Sequence, residues 1–147
     1  MTTPSPSPEL EAMIAAAAER HGIRPELLRA IVQHESNFDE NAIGDGGKAR
    51  GLMQMHGGAA SDMGVDWEKL FNPALALDAG AAYLAWLITE LQDERTAVAA
   101  YNGGLSTMRH GSGARFYDQA VAYANTVYML IREAPPAVSL GESEPPS

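Results

Sequence analysis

The stretch "PELLRAIVQHESNFDE", residues 25–40, decides the fold. Its first residue, proline, suits the first turn of a helix, and apolar residues recur at positions 27, 28, 31 and 32. This spacing puts the leucine, isoleucine and valine side chains on one helix face, and Glu35 continues that face. We therefore predict a helix whose C-terminal end carries a carboxylate half sunk in apolar surroundings.

A carboxyl group at the end of an apolar stripe is incompletely solvated. Burial disfavours its charged form and the negative end of the helix dipole acts in the same direction, so both raise the pKa of Glu35. A carboxylic acid that stays protonated near neutral pH can protonate the leaving oxygen of a glycosidic bond. A glutamate at a helix end can equally point into water, and spacing alone favours that simpler interpretation.

The rest of the chain is also predicted to be helical. The pairs Ser-Pro at 7–8 and Asn-Pro at 72–73 are typical helix starts, and a short helix is expected from Gly51. The last segment has apolar residues at helical spacing: Phe116, Ala120, Tyr123, Val127 and Leu130. No convincing alternating strand and no repeat is visible. The sequence therefore predicts an all-α protein.

Both ends of the chain are rich in proline and serine, as in "TTPSPSP" and "EAPPAVSLGESEPPS". Segments of this composition offer little apolar surface to pack. We therefore predict disordered tails at residues 1–6 and 134–147. Between them, residues 7–133 are long enough to form one domain with its own core.

Composition excludes several classes of protein. The formal net charge is −9, from 19 acidic and 10 basic side chains, so neither nucleic acid nor an anionic membrane surface is an expected partner. There is no cysteine, hence no disulfide and no thiolate chemistry. The N-terminus does not resemble a standard secretory signal. The most apolar windows, 12–18 and 74–88, look too short or too interrupted to span a bilayer, so no membrane insertion is predicted.

No cofactor and no metal ion is predicted. The four histidines are scattered without the spacing of metal ligands, and Phe38 interrupts the only start of a His-Glu-x-x-His pattern. A calcium loop beginning at Asp39 fails because Ile43 cannot ligate and Arg50 occupies the place of the bidentate glutamate.

Three motifs in order give Glu35 its context: "HES" at 34–36, "GLMQM" at 51–55 and "AAYNGG" at 99–104. Together with "NPALALDAGAAYLAWLI" and "YANTV", they resemble the transglycosylase SLT family, the lysozyme-like soluble lytic transglycosylases. The resemblance covers roughly residues 22–130. It implies a single lysozyme-like helical domain with a sugar-binding cleft, and a lytic transglycosylase that cuts the MurNAc-β-1,4-GlcNAc bond of peptidoglycan.

The resemblance also implies roles for individual residues. Glu35 would be the catalytic acid and then the base, and Ser36 would act on the substrate N-acetyl group or on the surroundings of the glutamate. Met53 and Gln54 would line the cleft. Tyr101 would hydrogen-bond Glu35 or hold it in place. Asn102 would contact the substrate.

The segment after "GLMQ" departs from the family, which usually continues with a Met-Pro-x-Thr-Ala type sequence where this chain has "MHGGAA". The preceding loop also resembles that of goose-type lysozymes, and Asp45 stands at the offset of their aspartate. His56 stands where such lysozymes can carry a second acid. This leaves hydrolysis by a muramidase, with Asp45 positioning water, as the alternative reaction. Asp45 in an Asp-Gly-Gly turn needs no catalytic role, so the transglycosylase is favoured.

A second alternative, from another class, is a glycan-binding or scaffold module without catalysis. The predicted substrate lies outside the cytoplasm, in the cell wall. Delivery in a phage particle, release with a holin, or placement in a larger secretion machine would reconcile that location with the lack of a signal peptide. A monomer is expected.

Overall fold

The computed structural model describes residues 5–135, and most of them are helical. This confirms the prediction of an all-α fold. The predicted tails fall largely on residues 1–4 and 136–147, which lie outside the described residues. Within residues 5–135 there are seven α-helices: α1 (Pro8–His21), α2 (Pro25–Ser36), α3 (Gly57–Asp62), α4 (Pro73–Leu91), α5 (Glu94–Gly103), α6 (Leu105–His110) and α7 (Tyr117–Glu133).

Local sequence signals set the helix ends where they were predicted. The Ser7 side chain accepts a hydrogen bond from the Leu10 N–H at the start of α1, and Gly22, with a φ of 67°, caps its C-terminal end. In the same way Asn72 accepts from the Leu75 N–H at the start of α4. These bonds satisfy backbone groups that a helix cannot pair internally, so each helix begins or ends at a defined residue.

The core lies around α5, which packs against both α4 and α7. Residues 97–100 of α5 are all buried, and three of the four are alanines. Small side chains let the neighbouring helices approach closely on both sides. Helix α2 packs on α7 and α1 packs on α4, so the end of α2 that carries Glu35 is held against α7.

Four local features differ from the prediction. Two-residue strands, β1 (Ile43–Gly44) and β2 (Ala49–Arg50), pair antiparallel across a 3₁₀ turn, Asp45–Gly47. They are too short to show alternation in the sequence. The short helix expected from Gly51 begins at residue 57 instead, because residues 51–54 form turns. Helix α6 was not predicted, and Phe116 precedes α7 with 47% of its surface exposed.

Helix α4 corrects the statement that no segment is long and apolar enough to span a bilayer. It runs for 19 residues, with a mean hydropathy of 1.3 in its most apolar window. Among residues 5–135 it is the one helix that meets the length and composition of a membrane span. A core helix can have the same properties, and α4 packs against both α1 and α5 with seven buried residues.

Candidate active site

Glu35 lies in the last turn of α2, where the apolar face of the helix ends. The helix stops because Asn37 adopts a left-handed conformation, with φ 54°, and its N–H bonds back to the Gln33 carbonyl. The side chain of Glu35 is half-buried among the helices. Burial raises the pKa of Glu35 from its ordinary 4.5 to about 7, in the direction that the sequence predicted.

Tyr123 of α7 is the hydrogen-bond partner of Glu35. Its hydroxyl donates to Oε2 of the glutamate at 2.9 Å, and the bond partly opposes the rise of the pKa that burial causes. Only 6% of Tyr123 is exposed, and its ring makes a T-shaped contact with the ring of His34, with centroids 4.9 Å apart. Burial of the hydroxyl, followed by the nearby charge of Glu35, raises the pKa of Tyr123, so the phenol stays protonated.

This geometry corrects one of the two roles expected for Tyr101. Its hydroxyl donates to the Met53 carbonyl at 2.8 Å and not to Glu35. The two residues are nevertheless close, because the charge of Glu35 adds to burial in raising the pKa of Tyr101. Tyr101 thus ties α5 to the turn at residues 51–54, next to the glutamate.

Met53 and Ser36 are buried, which contradicts cleft lining by the Met53 side chain and a direct contact of the Ser36 hydroxyl with the substrate N-acetyl group. No surface of Met53 is exposed, and its side chain fills the space beside Gly80 of α4. Ser36 is 7% exposed, and its hydroxyl donates to the Val32 carbonyl one turn earlier at 3.0 Å. Ser36 therefore belongs to the buried end of α2, and its predicted role on the surroundings of Glu35 stays a prediction.

Gln54, Tyr101 and Asn102 lie together on one surface groove with a volume of about 290 Å³. Tyr83 of α4 and His56 also line it. The remaining lining residues are Met55, Ala59, Gly103 and Gly104. The groove thus contains amide, hydroxyl and aromatic side chains, a combination that suits a neutral polar ligand.

Gln54 is held rigidly at the groove. Its backbone has a φ of 49°, and its side-chain amide donates to the carbonyls of Ala42 and Gly51, both at 3.0 Å. The turn that contains it is anchored by a hydrogen bond from Arg50 N–H to the Met55 carbonyl. The orientation of this amide therefore depends on backbone partners in the loop after α2 and in the turn at residues 51–54.

Glu35 does not itself line this groove but adjoins it through Tyr101. A larger concavity of 530 Å³ lies between the start of α1 and the loop after α2, and it contains neither Glu35 nor the groove residues. The smaller groove is the better candidate for a substrate site because it brings together three of the residues predicted from the motifs.

Asp45 lies in the turn between β1 and β2, with 65% of its side chain exposed. Its carboxylate pairs with Nε2 of His56 at 3.2 Å. Among the residues that the structure describes, no carboxylate lines the groove, and Asp45 adjoins it through His56. Among residues 5–135, no group of three or more acidic, histidine or cysteine side chains has the arrangement of a metal site.

Sequence reasoning missed two functional candidates. Tyr123 stands at helical spacing among apolar residues, so it was assigned to the core, and only the "YANTV" similarity marked its position. Tyr83 lay in the quoted motif "AGAAYL" without being singled out. The bond of Tyr123 to Glu35 and the position of Tyr83 in the groove both bring together residues far apart in the chain. Helix periodicity alone does not show which side chains meet.

Comparison with known proteins supports the motif-based resemblance. The sequence profile of the family described as Transglycosylase SLT domain matches residues 12–122. The chain is 36% identical over 109 residues to membrane-bound lytic murein transglycosylase F of Desulfosudis oleivorans, which covers 69% of this chain and 23% of that protein. It is 36% identical over 113 residues to membrane-bound lytic murein transglycosylase C of Serratia proteamaculans. That match covers 65% of this chain and 31% of that protein.

A transglycosylase of Enterobacteria phage PRD1 is 29% identical over 126 residues, which cover 86% of this chain and 46% of that protein. The X-ray structure of an inactive mutant of the lytic transglycosylase Slt from Pseudomonas aeruginosa matches with a TM-score of 0.68. That match has 25% identity and covers 82% of this chain and 23% of the other.

The chain spans less than half the length of these relatives. The profile match nevertheless extends from α1 into α7, and so includes Glu35, Gln54 and Tyr101. The resemblance inferred from the motifs is therefore confirmed, and this chain belongs to the transglycosylase SLT domain family.

Proposed function

We propose that this chain is a lytic transglycosylase that cleaves the β-1,4 bond between N-acetylmuramic acid and N-acetylglucosamine in peptidoglycan. The observation that carries the proposal is the half-buried Glu35, whose pKa is raised to about 7 by burial, in a chain of the SLT family. The relatives named above are lytic murein transglycosylases or a transglycosylase.

Glu35 acts first as an acid. At neutral pH a group with a pKa of about 7 is protonated in a substantial share of molecules. It gives its proton to the bridging oxygen, which leaves with the N-acetylglucosamine side of the strand. The N-acetyl group of the substrate stabilises the positive charge that develops on the muramyl ring.

Glu35 then acts as a base. The carboxylate removes the proton of the muramyl 6-hydroxyl, whose oxygen bonds to the anomeric carbon and closes a 1,6-anhydro ring. The proton lost by Glu35 in the first step is thereby restored, and no water is consumed. One carboxylate is enough for both steps, which fits a groove that Glu35 adjoins and that no carboxylate among residues 5–135 lines.

Tyr123 is a positioning residue in this scheme. Its hydroxyl donates to Oε2 of Glu35, and among residues 5–135 Oε1 has no hydrogen-bond donor. One carboxyl oxygen is therefore held by the protein while the other can exchange a proton with the substrate. We propose that Gln54 and Asn102 bind sugar amide or hydroxyl groups from the two walls of the groove.

Hydrolysis by a muramidase has weaker support. It requires two carboxyl groups roughly 6.5–9.5 Å apart with a water between them. Asp45 is the candidate for the second group, but it is largely exposed and paired with His56. A non-catalytic glycan-binding module would keep the groove without needing a buried glutamate.

The oligomeric state, the location and the delivery route are also proposals. We propose that residues 7–133 act as a monomeric domain on the cell wall, in the periplasm or outside the cell. The similarity to the phage PRD1 protein over 86% of this chain favours delivery by a phage over a secretion machine.

Digestion of purified peptidoglycan, followed by mass spectrometry of the released muropeptides, tests the proposal. The wild type should release products lighter by one water than hydrolytic muropeptides, and Glu35→Gln should release none. Glu40→Gln is the matched control, because Glu40 is exposed in a loop away from the groove, and it should act like the wild type.

Two other outcomes would overturn the proposal. Full-mass products with a reducing end would identify a muramidase and give Asp45 the second catalytic role. No release by folded wild type from several kinds of cell wall would identify a binding module.

A further inference from the structure

An aromatic row leads out of the groove along α4. The ring of Tyr83, which lines the groove, lies 5.5 Å from the ring of Tyr101 on its inner side. On its outer side it stacks on Trp86, with centroids 6.0 Å apart and planes inclined by 18°. Tyr83 and Trp86 are three residues apart on a helix, which places them on neighbouring positions of one face.

Trp86 is a large aromatic side chain that is exposed to solvent and not buried in the core. Its side chain is one of four large apolar side chains that are exposed among residues 5–135, with 38% of its surface in contact with solvent. Among these four side chains, only Trp86 stacks on an aromatic residue of the groove, Tyr83.

A charged pair follows Trp86 at the end of the row. Arg109 of α6 donates to Glu90 of α4 at 2.7 Å, and both side chains are accessible to solvent. Glu90 is four residues after Trp86, so it lies next to the indole on the same helix face. An exposed aromatic face with charged hydrogen-bonding groups at its edge is the combination that a sugar ring requires, since its C–H face is apolar and its hydroxyls are polar.

We infer that Trp86 forms an outer subsite that binds a sugar unit of the glycan strand beyond the groove beside Glu35. This inference rests on the proposed function, and it makes the enzyme prefer long strands over short ones. The sugar packs its C–H face on the indole, and Glu90 and Arg109 bind its hydroxyls. Because Trp86 stacks on Tyr83, which lines the groove, a strand that occupies the groove can extend to the indole.

Binding can be tested without turnover in the Glu35→Gln background. Isothermal titration calorimetry would measure the affinity of a disaccharide and of an octasaccharide, both made of peptidoglycan glycan without stem peptides. Adding Trp86→Ala should weaken binding of the octasaccharide about tenfold, equivalent to about 1.4 kcal/mol, and leave the disaccharide unchanged. Trp86→Tyr, which keeps an aromatic face, should retain most of the preference.

Met129→Ala is the matched control, because Met129 is a large apolar side chain on α7 that is 41% exposed and does not line the groove. It should change neither affinity. Unchanged octasaccharide binding by folded Trp86→Ala, while the wild type still releases anhydro products, would overturn the subsite alone. If the wild type releases no products, the proposed function fails first. If Glu35→Gln binds neither glycan, the subsite fails independently of catalysis.

Discussion

Two opposing influences act on the pKa of Glu35, and their balance sets the pH range in which it can donate a proton. Burial raises the pKa and is the larger influence, whereas the hydrogen bond from Tyr123 lowers it. Both depend on packing of α2 against α7. The residue that performs the proposed chemistry is therefore tuned by a side chain 88 positions away in the sequence.

Tyr123→Phe should shift the activity profile to higher pH. Loss of the hydroxyl removes the influence that lowers the pKa of Glu35, so the acid stays protonated to a higher pH and the fall in rate on the alkaline side moves upward. The maximal rate should fall by about one to two orders of magnitude, because a hydrogen bond to a charged group is worth roughly 1.5–3 kcal/mol and it also orients the carboxyl group. The measurement is kcat for a soluble glycan strand from pH 5 to pH 9 in steps of about half a unit.

Tyr128→Phe is the control, since it removes another tyrosine-to-carboxylate bond from the same helix, that to Glu94 at 2.7 Å. Its profile should keep the wild-type shape and position. A Tyr123→Phe enzyme with lower activity but an unmoved alkaline limb would mean that the tyrosine has only a structural role.

At the scale of secondary-structure elements, α4 supports the active site through its contact with the turn at residues 51–54. Gly80 lies where the helix meets Met53, and a Cβ at that position would lie 2.5 Å from Met53 Cγ. The carbonyl of the same methionine accepts the hydroxyl of Tyr101. Close approach of the helix and the turn thus determines where Tyr101 and Gln54 stand.

Gly80→Ala should destabilise the protein and reduce its activity. The added methyl group must displace Met53, and such overpacking costs about 1–3 kcal/mol even though a methionine can partly adjust. Gly58→Ala in α3 is the control, because nothing lies within 4 Å of its Cβ position, and it should stabilise by about 0.5–1 kcal/mol through helix propensity. Urea unfolding measures both changes. Equal stabilities for the two variants would disprove the proposed contact.

The elements themselves differed in how well the sequence predicted them. The starts of α1 and α4 followed from Ser7-Pro8 and Asn72-Pro73, because a capping bond involves residues within one turn. The pairing of β1 with β2 could not be predicted, since each strand has two residues and forms only because the intervening loop closes on itself. Helix α6 has six residues and is likewise too short for a periodic pattern.

At the scale of the whole molecule, a buried acid makes the free energy of unfolding depend on pH. The pKa of Glu35 is about 7 in the folded chain, above its ordinary value of 4.5, so the folded state binds the proton more tightly. This contribution to stability is fully present below pH 4.5 and is lost as the pH rises through about 7. The 2.5 pH units between the two values correspond to about 3 kcal/mol.

Glu35→Gln should therefore be inactive but more stable than the wild type at pH 8, by up to about 3 kcal/mol, because an uncharged amide replaces a buried charge. The difference should shrink toward zero near pH 4, where the wild-type glutamate is protonated. Urea unfolding at pH 4, 6 and 8 would measure it. Glu40→Gln should show no such trend, which separates Glu35 from other titrating groups such as His34, whose pKa burial lowers. A stability difference that does not vary with pH would refute the assigned pKa.

By itself, the sequence determined the all-α class, the main helix starts, the family and the position of Glu35 at the end of an apolar stripe. These depend on spacing within one helix or on motifs, both of which can be read along the chain. Only the tertiary structure decided that Tyr123 rather than Tyr101 binds Glu35, that Met53 is core and that Trp86 adjoins the groove. Each of these depends on which helices pack together and how closely, and such contacts between distant residues leave no local pattern in the sequence.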